Sequence, residues 1–117
     1  MRTTKADYQS FLDSCNKYVD ILGVKDWSIH YAHELVEGVY ANTVTDVDGH
    51  VATIRFSKYW DDMRVKTPKE IDRLALHEIL HIVFAPFLHE ASARYTYPDI
   101  IRQYEHNIIR RLENLAQ

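Results

Sequence analysis

Apolar residues near the start of the chain recur with the period of an α-helix. Tyr8, Phe11, Leu12, Cys15, Val19 and Leu22 form one stripe between Lys5 and Leu22, which predicts an amphipathic helix. Thr4 and Asp7 have the spacing of a capping box, and Gly23 stands where a helix end favours a left-handed residue. The period then changes to two. Trp27, Ile29 and Tyr31 alternate with Ser28 and His30, predicting a half-buried strand. A second β-rich run covers about Val39 to Thr45, and in a third segment, His50 to Phe56, Ala52, Ile54 and Phe56 alternate with Val51, Thr53 and Arg55. Asp48-Gly49 is a hairpin signal, so two of the three strands are expected to pair antiparallel. Ser57 to Lys66 reads as a connection in which Tyr59-Trp60 folds back on the core and Asp61-Asp62 starts or caps a turn.

Helical periodicity returns at Thr67-Pro68-Lys69-Glu70, which combines an N-cap threonine, proline at the first helical position and a capping-box glutamate. This helix is expected to run to about Ala85 and to stop before Pro86, because proline disfavours helical geometry in the residue ahead of it. Pro86 to Tyr97 then reads as a loop, and Pro98 opens a last helix reaching about Leu115. The order predicts an α+β fold: N-terminal helix, small three-stranded and partly antiparallel sheet, a second helix, and a C-terminal helix. With 117 residues, 46% hydrophobic and 26% charged, one domain spanning 1–117 is expected.

Charge and cysteine content narrow the chemistry. A net charge of -3 argues against binding that depends on neutralising phosphates, so no nucleic-acid partner is expected. Arg110-Arg111 fits a solvated helix end better than a nucleic-acid contact. Cys15 is the sole cysteine, which rules out an intramolecular disulfide and a cysteine-based zinc knuckle. The segment Met1 to Asp7 lacks the apolar run of a signal peptide. No stretch approaches the roughly 20 apolar residues needed to span a bilayer. A cytoplasmic location without a membrane partner is the expectation.

The second helix contains His77-Glu78-Ile79-Leu80-His81, an H-E-x-x-H pattern. Residues four apart share a helix face, so both imidazoles can reach one ion, and neutral imidazole nitrogens suit zinc. Glu78 is turned about 100° from His77 and about 60° from His81, beside the ion, where it can take a proton from an attacking water and pass it to a leaving group. Ile71, Leu74, Ala75, Leu80, Ile82, Val83 and Phe84 cover most of the same helix. Imidazoles and a carboxylate in so apolar a helix require a partner. The bland alternative is two ordinary helix histidines hydrogen-bonded to neighbours, with Glu78 solvated.

A catalytic zinc usually takes three protein ligands. His89, Glu90, Glu105 and His106 are the downstream candidates. The metzincin pattern fails, because Phe87 occupies the place of its third histidine and no glycine is nearby. In the last helix Ile101, Ile108, Ile109 and Leu112 lie within about 60° of Glu105, with Tyr104 and Leu115 extending the arc. His106 points about 100° away, with Arg102, Arg110 and Glu113, on what reads as a solvated face. A carboxylate on an apolar stripe is expected to be paired, protonated or metal-bound, which makes Glu105 the favoured third ligand. A salt bridge from Glu105 to an arginine such as Arg73 is the alternative, with His106 and then His89 as fallback ligands.

His77-Glu78-x-x-His81 with a glutamate on the following helix resembles the gluzincin branch of the zincin metallopeptidases, to which thermolysin belongs. Ala75 to His81, Glu105-His106 and Ile108 to Leu112 are also similar to small metallopeptidase-like proteins of phages and prophages. The resemblance covers nearly the whole chain and implies a minimal zincin domain, bound zinc and hydrolysis of peptide bonds in a peptide or protein substrate. It departs in one respect, since nothing here matches the large second domain that completes the thermolysin cleft. By the same resemblance, His50 to Phe56 is the strand that would hold extended substrate at a sheet edge. A phenol of Tyr95 or Tyr97 could donate to a developing oxyanion, or both could simply pack as a lid. His30, His33 and His50 read as surface or sheet residues. Two rival functions remain: a zinc-binding interaction module without activity, and a zinc amidase acting on non-peptide substrates.

Overall fold

Local sequence signals account for most of the element boundaries in the computed structural model, which describes residues 1–61, 66–94 and 97–116. Helix α1 (Lys5–Leu22) starts at a reciprocal cap. The Asp7 amide donates to Thr4 Oγ1 at 3.1 Å and the Thr4 amide donates to Asp7 Oδ2 at 2.8 Å. The helix ends at Gly23, whose φ of 71° is the left-handed conformation. Phe11, Cys15 and Tyr18 carry its buried face.

Three strands follow: β1 (Ser28–Glu34), β2 (Ala41–Asp46) and β3 (Val51–Ser57). The sheet order is β1-β3-β2, with β3 parallel to β1 and antiparallel to β2. The expected hairpin is β2-β3, in register from Asp46 opposite Val51 to Ala41 opposite Phe56. At its turn the Gly49 amide donates to Asp46 Oδ1 at 3.2 Å. The left-handed residue is instead His50, at φ 52°, and its ring stacks on Trp27 at 4.9 Å between centroids. One expectation is corrected here. The segment His50 to Phe56 cannot offer a sheet edge, because β3 is hydrogen-bonded on both sides. The edge that faces the second helix is β2, where Thr43 Oγ1 donates to Glu78 Oε1 at 2.7 Å.

Helix α2 (Pro68–Arg94) starts as expected, with the Glu70 amide donating to Thr67 Oγ1 at 3.2 Å. It does not stop at Ala85. Pro86 lies within it, and residues 87–94, predicted as loop, are helical. Pro86 is exposed, so the backbone bond it removes is lost on the solvent side, while Ala85 and Leu88 continue the inward face. Tertiary packing thus outweighs the local cost of proline. Helix α3 (Pro98–Leu112) returns along α2 and tightens into a 3₁₀ turn at Glu113–Leu115. Asp62 and Tyr95 lie outside the described residues.

The buried side chains form one cluster between α1, the sheet, α2 and the inner face of α3. Trp60 is fully buried against Phe56 and Tyr40, at 5.6 and 4.8 Å between ring centroids, so the connection folds back on the core at Trp60, whereas Tyr59 is exposed. Thr3 closes the other end. Its hydroxyl donates to the Ser57 carbonyl at 2.7 Å, so its 2.7 Å contact with His33 Nε2 makes that nitrogen the donor. No helix of the described residues is long and apolar enough to cross a membrane.

Asp72 ties α2 to α1, accepting from Lys17 Nζ at 2.7 Å and from the Tyr18 hydroxyl at 2.6 Å. Burial pushes its carboxyl up, yet hydrogen bonds from Lys17, Tyr18 and Ser14 hold it below the usual carboxylate range. A carboxyl depressed on folding stabilises the fold in full above its unfolded pKa, roughly 4, and ceases to do so as pH falls through the lower folded value. Asp72→Asn is therefore expected to lower stability at neutral pH by about 1–3 kcal/mol and to flatten the acid limb of a denaturant-midpoint-versus-pH curve. An unchanged acid limb would show that the link contributes nothing.

Candidate metal centre

The histidines of the H-E-x-x-H segment lie in the middle of α2, and the returning α3 brings a third beside them. His77, His81 and His106, all half-buried, each offer a ligand atom, and these atoms lie within 4.8 Å of one another. The rings of His81 and His106 are 4.7 Å apart between centroids, and those of His77 and His106 are 5.6 Å apart. His77 Nε2 and His81 Nε2 approach to 3.2 Å. Two nitrogens each about 2.05 Å from a tetrahedral ion stand about 3.3 Å apart, so the spacing suits a shared cation.

The far sides of the two α2 rings support this. His77 Nδ1 is paired with Glu113 Oε2, and His81 Nδ1 lies 3.3 Å from Glu105 Oε1. A carboxylate at Nδ1 favours the proton on that nitrogen, the arrangement in which Nε2 is presented to a metal. Burial lowers the His81 imidazole, but the Glu105 contact, with Glu78 and Glu113, raises it above its ordinary value. Burial, with His81 and His77 nearby, holds His106 below its ordinary value and favours the neutral ring that metals bind. The cluster is therefore suited to a divalent metal ion.

Glu105 is buried, as its place on the apolar arc predicted, but it stands behind His81 and outside the group of converging ligand atoms. His106 occupies that group and is half-buried, so the reading of it as a solvated position is corrected, whereas Arg102 and Arg110 are exposed as expected. α3 turns His106, Arg110 and Glu113 toward α2, where they border a cavity. His89 lines a second cavity nearer the distal end of α2. Tyr97 precedes α3, is 69% exposed and lines neither.

Glu78 is buried at 3% exposure and shares a cavity wall with His77 and His106. Burial pushes its carboxyl up, against the pull of His77, His81 and the Thr43 hydrogen bond. Sequence reasoning did not find Thr43 or Glu113. Thr43 had no signal, since its contact depends on how β2 meets α2. Glu113 had one: His106, Arg110 and Glu113 follow a helical i, i+4, i+7 spacing.

The two cavities, each of about 470 Å³, flank the cluster and share His106. Val39, Tyr40 and Ala41 wall the one beside His77, and Thr43, Thr45 and Asp46 wall the one beside His81. The histidines thus sit at the waist of a cleft with β2 along one side. No protein-family profile, curated protein or solved structure matches the chain.

Proposed function

We propose that this protein is a zinc-dependent hydrolase of the zincin type, cleaving peptide bonds, with His77, His81 and His106 holding the metal and Glu78 as general base. The observation that carries the reading is the convergence of three imidazoles whose two helix-α2 members are backed at Nδ1 by carboxylates. In this arrangement Glu105 and Glu113 orient ligands and are not ligands themselves. A bound zinc would supply Lewis acidity, lowering the pKa of water and polarising a carbonyl.

Glu78 carries the proton work. Thr43 fixes one carboxylate oxygen, leaving the other to take a proton from the attacking water and deliver it to the departing amine. Its burial favours that exchange, because a carboxylate pushed up from its ordinary range holds a proton more readily. The cleft continues past the cluster on both sides, which suits a chain lying across it. β2 pairs with β3 alone among the described strands, so its outer edge can add an extended segment to the sheet.

Protein purified without a chelating resin is expected to hold about one zinc per chain by elemental analysis. Zinc at a hundredfold excess over its Kd should stabilise the fold by about 2.7 kcal/mol, which a thermal melt detects. A metal-free protein whose melting temperature ignores added zinc would sink the proposal.

A further inference from the structure

One lobe of the cleft carries two guanidinium groups that no carboxylate pairs with among the described residues. Arg73 stands one turn before His77 on α2, and Arg110 one turn after His106 on α3. His77 meets Glu113 while His81 meets Glu105, so the helices run antiparallel and both arginines arrive at the same end of the cleft. Together with His77, Glu78 and His106 they line the same cavity.

Neither arginine takes part in an ion pair among the described residues. Arg73 Nε is buried and has no hydrogen-bond partner among the described residues. Of the two carboxylates of this lobe, Glu113 meets His77 and Glu78 accepts from Thr43 with one oxygen, and neither is paired with an arginine among the described residues. The opposite lobe differs: it is bordered by Asp46 and Asp48, and its one arginine, Arg102, contacts Asp99 at 3.3 Å. A buried guanidinium donor without an acceptor is costly, and the planar fork of arginine matches a carboxylate in two-point contact.

We infer that the lobe beside His77 is a carboxylate-binding pocket. It takes an anionic group of the substrate next to the bond presented to the histidines, either a chain-end carboxylate or an acidic side chain. The assignment of that group to a substrate rests on the hydrolase reading above; the anion pocket itself does not.

Binding tests it directly. The protein, as purified and zinc-loaded, is titrated with N-acetylalanine, which carries a chain-end carboxylate, with N-acetylglutamate α-amide, which carries only the side-chain one, and with the neutral N-acetylglutamine amide. The expected result is saturable binding of one or both acids, reported by the Arg73 Nε–Hε resonance, with no response to the neutral probe. Whichever acid binds more tightly identifies the source of the carboxylate. Arg73→Gln and Arg110→Gln should each weaken that binding by roughly tenfold or more, the loss of one charge-assisted contact, while metal content stays the same. The inference is overturned if neither acid binds better than the neutral probe, or if binding survives in the double variant, which would locate the acid on the metal or elsewhere. The hydrolase reading fails separately, through the absence of Glu78-dependent turnover, and that outcome leaves the titration readable.

Discussion

Glu78→Gln is expected to lower peptide hydrolysis by about 10²- to 10⁴-fold, the usual contribution of a positioned general base, while zinc content and fold are retained. Glutamine keeps the volume of the side chain and an oxygen to accept from Thr43, but it has no basic carboxylate for a proton. The separation of effects is the informative part. Because Glu78 is not in the converging ligand group, its loss should appear in kcat with the metal still bound. The measurement pairs steady-state kinetics on a fluorogenic peptide with elemental analysis of the same sample. Turnover that survives the substitution would remove Glu78 from the chemistry.

The second large effect concerns the metal. His106→Ala removes one of three proposed ligands and should weaken zinc binding by more than roughly a hundredfold, whereas Glu105→Ala, which strips the support behind His81, should cost roughly 10- to 100-fold. Competition with a chromogenic chelator ranks the two. The order follows from which atoms converge: the His106 ring is within reach of both other imidazoles, and Glu105 faces His81 Nδ1, the nitrogen turned away from His77. Greater zinc loss from Glu105→Ala would return the glutamate to the ligand set.

How much of this was legible in the sequence varied with how local the cause was. Helix α1 could be read to its ends, since Thr4, Asp7 and Gly23 act on their immediate neighbours. The β2-β3 hairpin was legible for the same reason. The place of β3 at the centre of the sheet was not, because its second partner is β1, brought in from across the hairpin. Pro86 misled because a local steric rule was applied where burial on the opposite face decides. The His106 face misled for a different reason. A cleft wall and a solvated surface are both polar and have the same helical period, so Arg102, His106, Arg110 and Glu113 give one signal with two meanings. Burial of Glu105 followed from the apolar arc, but whether it binds a metal or a histidine depends on which helix lies opposite.

Cys15, fully buried on α1, gives the molecule an internal gauge of its own integrity. Burial, with the Glu78 and Asp72 carboxylates nearby, raises its thiol well above the ordinary value, so the native protein offers almost no thiolate to an alkylating reagent. Modification then requires opening of the α1–α2 packing, and with one thiol in the chain every labelling event counts one such opening. Under rapid reclosing, the labelling rate of the intact protein falls in proportion to its folding equilibrium constant. A zinc-dependent slowing of iodoacetamide labelling would thus read out, at a side chain in the core, the free energy contributed by the ion.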